Sequence, residues 1–122
     1  MATDSVVPRD CHLRAQGNPT RDQLRNDLRV IDTYVDESHL IRRLEQCKLC
    51  GQLYFYEFYE EIDWLEGNDP QYRIWIPVED ADSARELNKL GPTQLLGYTG
   101  IRSDFPSTAD IPTGPRWVDR PS

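Results

Sequence analysis

The sequence lacks any long apolar stretch. No run approaches the roughly 18 to 20 apolar residues that a membrane-spanning helix needs, and residues 1–10 lack the apolar core of a secretory signal peptide. From these two absences we expect a cytoplasmic protein that has no membrane partner.

Positive charge is also scarce. The chain has 14 Lys and Arg residues against 21 Asp and Glu residues, which gives a formal net charge of −7. A chain this acidic gains nothing from counterion release on nucleic acid and is repelled by anionic lipid surfaces. We therefore expect no nucleic-acid partner, whereas a basic protein or a metal cation fits the charge.

Catalytic motifs are absent from the sequence. It contains no phosphate-binding glycine loop, no HExxH metalloprotease motif and no nucleotide-binding fingerprint. The carboxylates Glu57, Glu61 and Asp63 alternate along one predicted strand, but no histidine or nucleophile lies near them in the sequence. We interpret them as an acidic, solvated strand face. Whether the chain is an enzyme is left open, and the sequence leans against it.

The length and the hydrophobic pattern predict one small domain with an α+β fold. A chain of 122 residues suits a single domain. Leu24, Leu28, Ile31 and Val35 recur at spacings of four, three and four, which predicts an amphipathic helix that begins after Thr20. Three strands are predicted next, over residues 39–46, 53–64 and 71–78.

Capping and turn signals complete this expected fold. The segment Asp80-Ala81-Asp82-Ser83 opens a second helix after the third strand, with Ser83 and Glu86 at capping-box spacing, and Gly91 ends it. We thus predict an N-terminal amphipathic helix packed on a three-stranded antiparallel meander, followed by a second helix. A short further strand around Ile101 is possible. The expected boundaries are a flexible arm over residues 1–18, a single domain over 19–105 and a Pro-rich extended tail over 106–122, with Trp117 as a possible anchor.

Cysteine is rare, and its placement is the most informative feature of the sequence. Two of the three cysteines lie in the segment Cys47-Lys48-Leu49-Cys50-Gly51, directly before an aromatic-rich stretch. Two thiols separated by two residues in a tight turn can bind one metal ion. Gly51 suits the positive φ that such a turn often needs. In a reducing compartment this pattern favours metal binding, although unmetallated cysteines or a redox pair remain alternatives.

The CxxCG segment resembles the knuckle of zinc-ribbon proteins, over about residues 44–58. This resemblance implies a metal-binding turn at the tip of an antiparallel hairpin. If the turn closes the hairpin with Gln46 opposite Gln52, then Leu44 faces Tyr54. A zinc ribbon has a second knuckle, and none follows Cys50.

The remaining ligands must therefore come from elsewhere in the chain. Cys11 and His12 form the only other Cys/His cluster. We predict a structural zinc site formed by Cys11, His12, Cys47 and Cys50, in which Asp10 or water could replace His12. His39 is less suited, because eight residues of strand would place it more than about 20 Å from the turn.

Taken together, the residues predict a small acidic zinc-stabilised module that binds a basic protein. One specific version is an inhibitor or immunity protein that neutralises a basic toxin or nuclease by charge complementarity. Two alternatives are a small metal-dependent enzyme with an open zinc site and an accessory subunit of a larger complex.

Overall fold

The protein is built on one six-stranded antiparallel sheet. The computed structural model describes residues 11–15, 17–60, 70–105 and 114–118. The strands are β1 (Leu28–Asp36), β2 (Leu40–Cys47), β3 (Leu53–Glu60), β4 (Gln71–Val78), β5 (Gly100–Phe105) and β6 (Arg116–Val118). The helices are α1 (His12–Ala15), α2 (Arg21–Asn26), α3 (Ala81–Leu87) and α4 (Pro92–Leu95).

The strand order in the sheet follows the chain. Each strand pairs antiparallel with the next one in sequence, so β1 and β6 form the two edges. No helix of the described residues is long and apolar enough to cross a membrane.

The sheet carries a hydrophobic core on each face. On one face, which we call the α1/α2 face, Leu13 and Leu24 pack with residues of β1 to β5. On the opposite α3/α4 face, Ala84, Leu87 and Leu95 pack with residues of β2, β3 and β4. Because both faces are covered, the central strand β3 is buried along most of its length rather than at alternate positions.

The predicted fold of one long N-terminal helix on three strands is wrong. The capping box at Thr20 and Gln23 does form, but the helix that it starts, α2, ends at Asn26. Residues 28–36 form β1, which pairs with β2. The sequence from Val30 to Val35 is rich in β-branched residues, which favour a strand. The helical spacing from Leu24 to Val35 was therefore misleading, and Ile31 is 48% exposed rather than buried.

The predicted hairpin register is also wrong, by one residue. Gln46 lies opposite Leu53, and Leu44 lies opposite Phe55. The reason is the turn, in which the backbone N–H of Cys47 donates to the carbonyl of Gln52. Six residues therefore separate Gln46 from its partner Leu53, one more than in the expected pairing with Gln52. Because side chains alternate along a strand, this shift moves Leu44 to the face opposite that of Tyr54.

Other elements agree with the sequence. The strand predicted over residues 71–78 is β4, and a strand does form around Ile101 as β5. The predicted second helix is α3, although its N-cap is Asp80, whose side chain accepts from the N–H of Ser83. It ends before Gly91, which instead caps α4. Within the predicted tail, Trp117 lies in β6 and anchors it, because its indole N–H donates to the carbonyl of Leu13 at 2.8 Å.

Candidate metal centre

The turn between β2 and β3 places two cysteines side by side at one end of the hairpin. The N–H of Gly51 donates to the carbonyl of Cys47 at 2.9 Å, which closes the loop. Gly51 has a φ of +85°, the left-handed conformation expected from the sequence. Cys47 is buried at the end of β2, while Cys50 is exposed within the loop.

The third cysteine reaches the same place through α1. Cys11 directly precedes this helix, and its carbonyl accepts from the N–H of Arg14 at 2.9 Å. Leu13 is only 1% exposed and packs in the core of the α1/α2 face, so it holds the segment against the sheet. The guanidinium of Arg14 lies 4.8 Å from the centre of the Trp117 ring, which adds a second contact with β6.

The three sulfur atoms converge on one point. The Sγ atoms of Cys11, Cys47 and Cys50 all lie within 4.8 Å of one another. Thiolates that share a tetrahedral zinc ion at about 2.3 Å are about 3.7 Å apart. The three cysteines could therefore hold a metal ion after only a small contraction.

His12 lies beside this cluster with both ring nitrogens engaged. Its Nδ1 is 3.4 Å from Cys47 Sγ, and its Nε2 is 2.8 Å from Asp27 Oδ2. When Nε2–H donates to the carboxylate, the lone pair of Nδ1 faces the sulfurs. A carboxylate that orients a histidine in this way is typical of metal sites.

Asp27 reaches His12 because of the junction between α2 and β1. It is the C-cap of α2, and its carbonyl accepts from the N–H of Lys48 at 2.8 Å. Leu28, the next residue, pairs with Cys47 in the sheet. The junction therefore ties the carboxylate to the same turn that carries the cysteines.

Burial shapes the chemistry of the sulfurs. Desolvation raises the pKa of Cys11 to about 12, and the hydrogen bond from Tyr54 opposes part of that rise. The Tyr54 hydroxyl lies 3.1 Å from Cys11 Sγ and donates to it. Burial, and after it the neighbouring Cys11, raises the pKa of Tyr54 as well, so this hydroxyl stays a donor.

The other residues that the sequence singled out lie away from the cluster or outside the described part. His39 is exposed and directly precedes β2, whereas Cys47 is the last residue of that strand, so the two lie at opposite ends of β2. Asp10, the substitute ligand, and Glu61 and Asp63 of the expected acidic face lie outside the described residues. The solvated position expected for Glu57 is wrong, since it is 2% exposed.

The buried carboxylate of Glu57 forms an ion pair. It accepts from Arg42 Nε at 2.7 Å, and the same guanidinium donates to the carbonyls of Asn88 and Leu90. Burial raises the pKa of Glu57, and the charge of Arg42 offsets part of that rise. These contacts make Glu57 part of the core. Through Arg42, it links β3 to the end of α3.

Comparison with known proteins adds no assignment: no protein-family model, curated protein or solved structure matches the chain. Sequence reasoning missed Asp27 and Tyr54, which contact His12 and Cys11. The spacing of these residues in the sequence does not predict either contact, because both depend on how α1 lies across the sheet.

Proposed function

We propose that this chain is a small acidic protein-binding module stabilised by one zinc ion, with Cys11, His12, Cys47 and Cys50 as its ligands. The observation that carries the proposal is the convergence of three sulfurs within 4.8 Å, with an imidazole nitrogen 3.4 Å from one of them. Three thiolates and one imidazole form a set of four ligands typical of closed structural zinc sites.

The donor set favours zinc over other cations. Thiolate sulfur is a soft ligand that binds zinc well, whereas magnesium and calcium prefer oxygen. Asp27 accepts from the far nitrogen of His12, which would fix the ring orientation of a bound histidine. Metal binding would also account for the proximity of the buried sulfurs of Cys11 and Cys47, because the positive charge of the ion would neutralise their thiolates.

A metal ion at this position would stabilise the fold. It would join α1 to the β2–β3 turn and, through Asp27, to the end of α2. Helices of four and six residues are far too short to be stable on their own. In a domain of this size, a bound metal is a common source of the missing stability.

Metal analysis tests the zinc site directly. We expect about one zinc per chain in the purified protein, its loss in Cys50→Ser, and a marked fall in melting temperature after chelation. Cys50 is exposed, so its substitution should disturb packing little. Lys48→Ala, in the same loop, is the matched control and should keep its zinc. A metal-free protein whose melting temperature is unchanged by chelator would contradict the proposal.

The protein-binding part of the proposal is supported by charge and by the exposed edge of the sheet. The net charge of −7 suits a basic partner. Val30 and Ile31 are large apolar residues on the edge strand β1, and each is about half exposed. The exposed carboxylates Asp32 and Asp36 lie on the same strand. We propose that a basic protein docks on this edge, as an inhibitor or immunity protein would bind its target.

Charge reversal on β1 tests the docking edge. A basic partner captured at low salt should be lost from the double variant Asp32→Lys, Asp36→Lys and retained by Asp82→Lys, an exposed carboxylate on α3. Retention of the same partner by both variants would overturn the edge as the binding surface.

A metal-dependent enzyme is the second candidate, and the exposure of Cys50 favours it, since solvent reaches that ligand. In that case water would take the position that we give to His12. A cobalt-substituted sample separates the two. The absorption of a site with three sulfurs and one nitrogen supports the structural role, and bound water that exchanges with added anions supports the enzyme.

A further inference from the structure

The α1/α2 face contains a cavity of about 420 Å³ that the metal site does not use. Its lining comes from α2, from strands β1 to β5 and from Pro115. This volume lies within the range of small-molecule binding sites in proteins. The cavity opens beside α2, and its base is the sheet.

The charge of the lining is opposite to that of the whole chain. Four arginines line the cavity, against the single carboxylate of Glu45. In a chain with a net charge of −7, this concentration of positive charge is a local exception. The arginines are Arg21, Arg25, Arg43 and Arg73.

Two of these arginines are fixed at the base of the cavity. Arg43 and Arg73 are half-buried, and their guanidinium groups lie 5.9 Å from the Tyr56 ring centre and 4.7 Å from the Phe58 ring centre. Among the described residues, no carboxylate forms an ion pair with either one. Arg73 also donates a hydrogen bond to the Tyr56 hydroxyl, and the positive charge of Arg43 acts on the nearby Glu45. A guanidinium has five N–H donors, so each arginine keeps further donors for a carboxylate or phosphate.

The base also offers two aromatic rings, inclined at 39° to each other, and one hydrogen-bond acceptor. The rings of Tyr56 and Trp75 lie 4.9 Å apart and both line the cavity. The indole N–H of Trp75 donates to Glu45 Oε1 at 3.2 Å, which fixes the position of the carboxylate. Aromatic rings beside positive charge suit a ligand that combines a flat ring with an anionic group.

We propose that this cavity binds a small organic anion, a phosphate or carboxylate attached to a flat ring. Arg43 and Arg73 bind the anionic group, and the ring of the ligand lies against Tyr56 and Trp75. Arg21 and Arg25 are exposed at the mouth and add positive charge there, although Arg25 lies 3.9 Å from the carboxylate of Asp22. This site is independent of the zinc proposal, because none of its residues is a proposed zinc ligand.

Calorimetric titration of the full chain as purified tests the site. Phenyl phosphate and benzoate serve as probes that distinguish phosphate from carboxylate, while inorganic phosphate and benzyl alcohol each supply only one half of the chemistry. We expect saturable binding of phenyl phosphate or benzoate, at least tenfold tighter than either half-probe. Absence of saturable binding of both ring-bearing anions at millimolar concentration would overturn the proposal.

Variants locate the binding within the protein. Arg43→Gln and Arg73→Gln should each weaken the tighter probe at least tenfold. Arg85→Gln, an exposed arginine on α3, is the matched control and should leave the affinity unchanged. An equal loss in Arg85→Gln would show a general charge effect and overturn the site. Should Arg43→Gln fail to fold, Arg43→Lys keeps the charge without the planar fork and should still weaken binding at least threefold.

Discussion

The two faces of the sheet are filled by different chemistry. On the α3/α4 face the buried residues of the core are aliphatic apart from Phe55, and Tyr34 and Tyr98 pack against them. The buried ion pair of this face, Arg42 with Glu57, is satisfied by protein groups. The α1/α2 face is rich in aromatic residues whose polar atoms contact other functional groups. Tyr54 donates to Cys11, and Trp75 donates to Glu45.

The difference separates a face that stabilises the fold from the face that carries the proposed zinc and cavity sites. A buried ion pair whose groups bind only protein atoms stabilises the fold and offers little to a ligand. A face whose aromatic residues orient sulfurs and a carboxylate around a cavity can bind an ion and a small molecule. The proposed zinc site and the proposed cavity site are both on the α1/α2 face, so substitutions on the two faces should separate stability from binding at these two sites.

The largest expected effect is on the α3/α4 face, at the buried ion pair. Glu57→Leu leaves the guanidinium of Arg42 buried without its carboxylate, and it should lower the free energy of unfolding by about 3–5 kcal/mol. Urea denaturation measures this loss. Zinc content at a concentration where the variant is folded should be unchanged.

A substitution on the surface of α3, the helix that covers the same face of the sheet, serves as the control for Glu57. Glu86→Leu changes an exposed carboxylate of α3 and should alter stability by no more than about 0.5 kcal/mol. A cost for Glu57→Leu as small as this would show that the ion pair contributes little and would weaken the contrast between the faces.

Two leucines compare the packing of the faces directly. Leu87→Ala on the α3/α4 face removes a fully buried side chain, and we expect a cost near the top of the range of about 2–5 kcal/mol. Leu24→Ala on the α1/α2 face borders the cavity, so its neighbours have space to rearrange. Its cost should lie near the bottom of that range. Equal costs in urea denaturation would mean that the cavity does not relieve the packing there.

A smaller effect is expected at the sheet itself, where β5 approaches β4. A Cβ on Gly100 would lie 2.6 Å from the backbone oxygen of Trp75, so Gly100→Ala must push the strands apart. We expect a loss of about 1–3 kcal/mol in urea denaturation, together with weaker binding of the cavity probe, because Trp75 lies at the cavity base. Gly97→Ala meets only ordinary contact at 3.5 Å and should change neither.

The sequence predicts a strand correctly where the residue composition favours one. It fails where the spacing of apolar residues fits a helix as well as a strand. The β-branched and aromatic residues of β3 and β4 allow few alternatives to a strand. In contrast, Leu24, Leu28, Ile31 and Val35 match a helical stripe by spacing alone. Pairing of β1 with β2, which residue spacing within β1 does not encode, decided against the helix. The hairpin register depended on a one-residue difference in loop length, which spacing does not encode.

The candidate site was predictable in its residue types and not in its supporting contacts. The spacing of Cys47 and Cys50 and the rarity of cysteine pointed to Cys11 as a third sulfur, and the structure brings the three together. Arg21 and Arg25 give no local sequence signal that they border a cavity shared with β2 and β4.

The smallest expected effect on stability is at Asp27, and it isolates the metal site from the rest of the fold. Asp27→Ala removes the carboxylate that orients His12 but leaves the backbone carbonyl that accepts from Lys48. Loss of an orienting carboxylate typically lowers metal affinity by about 10- to 100-fold. In the metal-free protein, loss of one half-buried hydrogen bond should cost only about 1 kcal/mol. Competition with a zinc-binding dye measures the affinity, and urea denaturation in chelator measures the stability. Asp22→Ala, on the exposed side of α2, is the control and should change neither. If zinc affinity is unchanged in Asp27→Ala, then His12 is not a ligand, and the fourth position belongs to water or to another residue.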